Sequence, residues 1–128
     1  MRYAEMFHKE PTMGGWLQFC NSHFASFDAN DLLAMLSTWQ NADCGNHPEF
    51  CGSLDNALAA IKAKVVLMPA ENDLYFPKED NLIDADKIKD VKVAVIPGGR
   101  GHLDGGVALA STIANEFISK EISVLLDA

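Results

Sequence analysis

The chain has 128 residues, a formal net charge of −8, and a composition that is 48% hydrophobic and 22% charged. That length gives one modest core, roughly half the size of many open-sheet α/β enzymes, and the composition is typical of a globular protein. With 18 acidic against 10 basic residues, the chain would repel a phosphate backbone or an anionic membrane surface. We therefore expect neither nucleic acid nor membrane as a partner.

The sequence shows no targeting or membrane-spanning segment. No apolar run approaches the ~20 residues that cross a bilayer, and the N-terminal stretch MRYAEMFHKE is too polar for a secretory signal. The three cysteines, Cys20, Cys44 and Cys51, cannot all pair with one another, and nothing else indicates an oxidising compartment. We expect a cytoplasmic protein with free thiols.

The first half of the chain has helical periodicity. The Met-Gly-Gly at 13–15 predicts a break, and a helix with a largely aromatic face is predicted from Trp16 to Phe27. Asp28 offers an N-cap oxygen for a second helix, whose apolar stripe runs from Leu32 to Trp39. Residues 41–52 are predicted to form a loop, and Ser53 to cap a third helix through Ile61.

The pattern then changes to that of a βαβ unit. Val65 to Met68 form a β-favouring run without polar alternation, as expected for a parallel strand covered on both faces. A helix is predicted over Lys78 to Lys87 and a second strand over Val91 to Ile96. A last helix follows Gly105 and Gly106 and extends towards Leu126. The predicted fold class is α/β: helices, then a parallel βαβ unit and a C-terminal helix.

Two candidate catalytic residues follow the two predicted strands. Asp73 lies in the loop after the first strand and His102 in the loop after the second. Parallel strands joined by a right-handed crossover bring these loops to one edge of the sheet, where ligands and catalytic groups gather. We therefore expect the two side chains within hydrogen-bonding reach, or one water apart. There a carboxylate fixes the imidazole tautomer for acyl transfer, whereas capping of a loop is the alternative for an isolated pair.

Four segments resemble, in their order, the C-terminal third of homoserine O-acetyltransferase-like proteins: Phe27–Leu33, Thr38–Gln40, Glu71–Pro77 and Gly101–Leu103. The resemblance spans residues 13–125 and implies a partial α/β-hydrolase fold. It implies that residues 1–62 form a helical, cap-like segment and residues 63–128 part of the core. It also implies that Asp73 is the acid and His102 the general base of a Ser-Asp-His triad. An acyl-coenzyme A donor is implied in the same way, but no metal or organic cofactor.

Two features depart from that family. The G-x-S-x-G turn that presents a nucleophile is absent, and the stretch Cys51-Gly52-Ser53-Leu54-Asp55 lacks its second glycine and preceding strand. We therefore expect the chain alone to be inactive. Family members place Asp directly after the histidine, whereas Leu103 stands there in this sequence, with Asp104 next. Homoserine is consequently not assured as the substrate.

Two function classes remain open. The first is the C-terminal portion of an acyltransferase or hydrolase that acts on a small acyl substrate in an intact relative. The second is a freestanding, non-catalytic binding module that self-associates, because the strand at 65–68 lacks one of its expected neighbours and its free edge favours a homodimer. The alternative is a monomer in which the predicted helix from Trp16 to Phe27 folds over that edge. A zinc site at Cys44, His47 and Cys51 is disfavoured, since the C-x2-H-x3-C spacing gives three ligands and matches no common structural site.

Overall fold

The structure is a computed structural model that describes residues 12–106 and 110–127. The chain divides into two compact units, Met1–Asp43 and Cys44–Ala128. The sequence-based division into 1–62 and 63–128 follows a family resemblance rather than compactness, and it stays a prediction. None of the helices within the described ranges has the length and apolar character to cross a bilayer.

The described residues of the first unit form two helices, α1 (Met13–Phe24) and α2 (Ala29–Asn41). Thr12 caps α1, because its hydroxyl oxygen accepts a hydrogen bond of 3.0 Å from the Gly15 N–H. The predicted break at 13–15 is therefore wrong: these residues form the first turn of α1, where capping offsets the low helix propensity of glycine. Asp28 caps α2 as predicted, accepting from the Asn30 N–H at 2.7 Å. No residue of either helix is buried.

The second unit begins with short, tightly turned elements. Two 3-10 turns, Cys44–Asn46 and Pro48–Phe50, lie where a loop is predicted. Helix α3 (Leu54–Ala59) follows, and the Ser53 hydroxyl accepts a hydrogen bond of 3.2 Å from the Asn56 N–H, which confirms the predicted cap. The helix ends two residues short of the predicted Ile61.

The βαβ unit is present. Strands β1 (Val65–Leu67) and β2 (Val91–Val93) pair in parallel, and helix α4 (Lys78–Ala85) lies between them in the chain. Both strands are shorter than predicted, but parallel pairing resumes as an isolated bridge between Ala70 and Ile96. Pro69 interrupts β1 because proline has no N–H to donate, yet its carbonyl still accepts from the Ile96 N–H at 2.9 Å.

Helix α5 (Thr112–Leu126) closes the second unit and contacts β1. Its Glu121 forms an ion pair with Lys92 of β2. The buried apolar residues of the described chain are mostly small: Ala57, Ala70, Ala85, Ala94, Ile96 and Ala114. Strand β1 is half-buried along its length, so the predicted coverage of both faces is only partial.

Candidate active site

Two loops meet at the carboxyl end of the parallel strands. The acid loop, residues 71–77, follows β1, and the histidine loop, residues 97–106, follows β2. The bridge between Ala70 and Ile96 holds their starting points side by side. The Asn72 side chain then donates a hydrogen bond of 3.0 Å to the Gly98 carbonyl oxygen, which ties the acid loop directly to the histidine loop.

The structure brings Asp73 and His102 together. The His102 Nδ1 atom lies 3.0 Å from Asp73 Oδ2. The carboxylate is 8% exposed, whereas the imidazole is 46% exposed. The predicted hydrogen-bonding distance is thus confirmed. The catalytic role of the two residues stays a prediction.

The Asp73 carboxylate divides its two oxygens between different tasks. Oδ1 accepts hydrogen bonds from the N–H groups of Tyr75 at 2.8 Å and Phe76 at 3.1 Å, so the acid loop folds around its own carboxylate. Oδ2 is left to face the imidazole. Burial raises the pKa of Asp73, but the hydrogen bonds from His102, Phe76 and Tyr75 outweigh burial and hold it below its usual value. The carboxylate is therefore ionised at neutral pH.

An ionised Asp73 selects one tautomer of His102. An acceptor-only carboxylate oxygen at Nδ1 requires the proton on that nitrogen, so a neutral ring keeps the Nε2 lone pair available to accept a proton. When Nε2 does accept one, the resulting imidazolium lies beside a negative charge. This is the arrangement of a general base that a carboxylate orients.

Two aromatic rings flank the imidazole, and the sequence reasoning did not single them out. The ring centroids of Tyr75 and Phe76 lie 5.0 and 5.4 Å from that of His102, inclined at 37° and 44°. Rings at such distances and inclinations pack against the imidazole and limit the orientations it can adopt. The sequence feature that could have indicated this contact is that Tyr75 and Phe76 lie in the same short loop as Asp73.

A cleft of about 290 Å³ opens beside the pair. Its walls are mainly apolar or glycine, and its polar groups are few: the lining residues are Met68, Pro69, Ala70, Asp73, Phe76, Asn81, His102, Gly105 and Gly106. A small cavity with apolar walls and a few convergent polar groups is typical of a site for a small molecule.

The cysteines and His47 take no part in this site. No three His, Cys, Asp or Glu side chains within residues 12–106 and 110–127 are grouped so that they could hold a metal ion. The His47 Nδ1 atom instead accepts a hydrogen bond of 3.3 Å from the Glu49 N–H and caps a 3-10 turn. Cys51 donates from its thiol to the Pro48 carbonyl at 3.6 Å. Cys20, Cys44 and Cys51 are all free thiols.

Known proteins similar to this chain are ester hydrolases. An ethyl acetate hydrolase from Pseudomonas veronii is 35% identical over 85 residues, which is 66% of this chain and 24% of the relative. A probable esterase from Corynebacterium glutamicum gives the same identity and the same coverage of each chain. The chain therefore spans about a quarter of the length of these relatives. No protein-family model matches it.

A solved structure shows the same relationship in three dimensions. An acetylester hydrolase from Corynebacterium glutamicum superposes with a TM-score of 0.72 and 32% identity, covering 87% of this chain and 31% of the hydrolase. The fold is thus a partial α/β-hydrolase fold, as predicted. The relatives support the hydrolase side of the sequence-based resemblance rather than homoserine O-acetyltransferases in particular.

Proposed function

We propose that this chain is the acid- and histidine-bearing portion of an α/β-hydrolase that cleaves esters of small acyl groups. Asp73 is the acid of the triad and His102 its general base. The observation that carries the proposal is the 3.0 Å contact between Asp73 Oδ2 and His102 Nδ1 beside a small cleft. The similarity to ester hydrolases supports this chemistry over the alternative, in which the pair only caps a loop.

The proposed reaction passes through an acyl-serine. His102 Nε2 takes the proton of a serine hydroxyl while the serine oxygen bonds to the ester carbonyl carbon. Nε2 then returns that proton to the departing alkoxide as the ester bond breaks. In the second half, His102 Nε2 takes a proton from water while the water oxygen bonds to the acyl carbon, and it then gives that proton to the serine oxygen as the acyl–serine bond breaks and the acid is released. Asp73 stays ionised throughout and stabilises the imidazolium formed in each half.

The nucleophile in this proposal comes from a polypeptide segment other than these 128 residues. The sequence contains no G-x-S-x-G turn, and no serine is among the described residues that line the cleft. Oxyanion donors would come from the same outside segment. The chain by itself is accordingly proposed to be inactive.

A chimera tests the roles of both residues. The part of the Corynebacterium glutamicum acetylester hydrolase that superposes on this chain is replaced by this chain, and hydrolysis of p-nitrophenyl acetate is measured. We expect an active chimera that His102→Ala slows on the order of 10²–10⁴-fold, the usual contribution of a general base. His47→Ala is the matched control, because His47 caps a turn and does not line the cleft. Equal losses in the two variants, or none in His102→Ala, would contradict the assignment.

The same chimera separates hydrolysis from acyl transfer. The resemblance to homoserine O-acetyltransferases implies an acyl-coenzyme A donor, whereas ester hydrolysis uses water as the acceptor. Acetyl-coenzyme A with homoserine is therefore assayed beside p-nitrophenyl acetate. We expect hydrolysis of the ester and no acetylhomoserine, and the reverse result would favour the transferase.

A second candidate is a non-catalytic module that forms a homodimer. It is favoured by β1, which pairs with β2 on one side and has no strand on its other side among the described residues. An unpaired strand edge favours pairing with a second chain.

A cytoplasmic location is proposed for either candidate. The three free thiols support it, because a reducing compartment keeps thiols unpaired.

A further inference from the structure

Asp104 carries a buried carboxylate that the proposed reaction does not use. It lies in the histidine loop two residues after His102 and is 1% exposed. Burying an ionised group costs free energy unless the group receives hydrogen bonds, so the hydrogen-bond partners of Asp104 account for its burial. Burial raises the pKa of Asp104, but hydrogen bonds from Ser111 and Arg100 outweigh burial and hold it below its usual value. The group is therefore buried as a carboxylate.

The two carboxylate oxygens join separate parts of the backbone. Oδ2 accepts from the Arg100 N–H at 2.8 Å, and Oδ1 accepts from the Ser111 N–H at 3.0 Å. Arg100 precedes His102 by two residues, and Ser111 is the N-cap of α5. One side chain thus fixes the backbone on both sides of His102 and fastens it to the start of a helix.

Gly98 shows how closely the carboxylate is packed. A Cβ atom at this position would lie 2.1 Å from Asp104 Oδ2 and 2.7 Å from its Cγ, far inside van der Waals contact. The glycine therefore makes room for the carboxylate beneath the histidine loop. Gly98 is also the residue whose carbonyl accepts from Asn72 of the acid loop. The carboxylate consequently packs where the two loops that carry Asp73 and His102 are joined.

We propose that Asp104 is a positioning residue for His102: its buried carboxylate clamps the histidine loop to the start of α5 and so directs the imidazole at Asp73. The His102 ring is nearly half exposed, so the backbone that carries it must be fixed by other groups. The clamp rests on the proposed function, since it presumes that the Asp73–His102 pair is the working pair. Asp104 itself does not line the cleft and contacts neither the proposed serine nor the substrate.

The tautomer of His102 reports on the clamp without requiring catalysis. In the full chain labelled with ¹⁵N, the ring nitrogen resonances at a pH where the imidazole is neutral give the fraction protonated at Nδ1. Asp73 as acceptor favours that form, whereas a ring without a partner populates both tautomers. Asp73→Ala supplies the reference for a lost partner. A thermal unfolding curve of each variant records stability separately.

Two variants loosen the clamp by different means. Asp104→Asn keeps the shape of the side chain but replaces one acceptor oxygen by an NH₂ donor that faces an N–H. Gly98→Ala leaves the carboxylate intact and displaces it by steric contact. Their matched controls are Asp86→Asn, at an exposed carboxylate, and Gly14→Ala, at a residue that does not line the cleft and where a Cβ meets nothing within 4 Å.

In the wild type we expect most neutral His102 rings to carry their proton on Nδ1. In both clamp variants this fraction should fall towards the value of Asp73→Ala, whereas both controls should keep the wild-type value. Lower stability with a wild-type tautomer would overturn the clamp and leave Asp104 a structural residue. If Asp104→Asn does not fold, Gly98→Ala decides by the same criterion. If the wild type and Asp73→Ala have the same fraction of His102 protonated at Nδ1, the Asp73–His102 hydrogen bond is absent. That result contradicts the proposed function itself and is distinct from a failure of the clamp.

Discussion

Against the effect of burial, hydrogen bonds hold the pKa values of Asp73 and Asp104 below the usual value, but the partners differ: His102 and two backbone N–H groups for Asp73, and mainly backbone N–H groups for Asp104. One oxygen of Asp73 is left for an imidazole, whereas both oxygens of Asp104 are occupied by the backbone. A carboxylate with a spare acceptor can respond to a change of charge on His102. A carboxylate with none can only hold the chain in place. Two acidic side chains of one unit thus differ in whether an oxygen is left for a side chain or both are held by the backbone.

The depressed pKa of Asp104 predicts a dependence of stability on pH. Its folded pKa lies below the unfolded value of about 3.9, so its stabilising effect is complete above that value and is lost as pH falls through the folded pKa. We expect the free energy of unfolding in urea to fall more steeply for the wild type than for Asp104→Asn between about pH 5 and pH 2. Equal slopes for the two proteins would contradict this.

At the scale of elements, α5 depends on its first turn. The Ser111 hydroxyl accepts a hydrogen bond of 3.2 Å from the Ala114 N–H and also bonds to the Asp104 carboxylate. We expect Ser111→Ala to lower the free energy of unfolding by more than about 1 kcal/mol, the usual effect of losing an N-cap, because the Asp104 carboxylate also loses a hydrogen bond. Chemical denaturation at neutral pH measures this.

Ser119→Ala is the control for that change, since Ser119 is exposed and lies inside the same helix. Alanine has the higher helix propensity, so we expect a neutral or slightly stabilising effect there. Similar losses at the two serines would show that the cap contributes nothing special to α5.

Local chemistry explains which elements could be predicted from the sequence. Asp28 and Ser53 cap helices because their oxygens reach N–H groups two or three residues ahead, which requires no tertiary contact. The meeting of Asp73 with His102 follows from the parallel topology of a βαβ unit, although they are 29 residues apart. The two caps therefore depend only on neighbouring residues in the chain, and the Asp73–His102 contact depends on the right-handed crossover of the βαβ unit.

Other features depend on packing that no local pattern carries. Glycines at 14 and 15 predict a break, but the Thr12 cap starts α1 before them. The proposed role of Asp104 rests on the Ser111 N–H, seven residues further along the chain, and on the space left by Gly98. The spacing of residue types along the sequence predicts neither the hydrogen bond from Ser111 nor the close packing at Gly98. The flanking of His102 by two rings likewise requires the fold of the acid loop.

At the scale of the whole molecule, the chain contains the proposed general base, His102, but no recognisable nucleophile turn. We therefore expect the purified chain to hydrolyse p-nitrophenyl acetate no faster than buffer does. His102→Ala should leave that background unchanged, because a general base has no effect without a group to deprotonate. Turnover that disappears in His102→Ala would require a nucleophile within these residues.

The second property at this scale is the edge of β1 that faces away from β2, which pairs with no other strand among the residues that the structure describes. Val65, Leu67 and Pro69 direct their hydrogen bonds towards β2 and its continuation, so alternation along the strand points the N–H and C=O of Val66 to the opposite edge. A two-stranded sheet is marginal by itself. A second copy related by a two-fold axis would pair with β1 in antiparallel fashion and give a continuous sheet of four strands.

We therefore predict a homodimer through β1. Sedimentation equilibrium at tens of micromolar should give about twice the chain mass of 13.9 kDa. Val66→Pro should give the monomer, because proline removes the N–H that faces the free edge and leaves the bonds to β2 in place. Val66→Ala retains that N–H and should remain a dimer. A wild-type mass near 13.9 kDa contradicts the prediction, and a dimer that persists in Val66→Pro places the interface elsewhere.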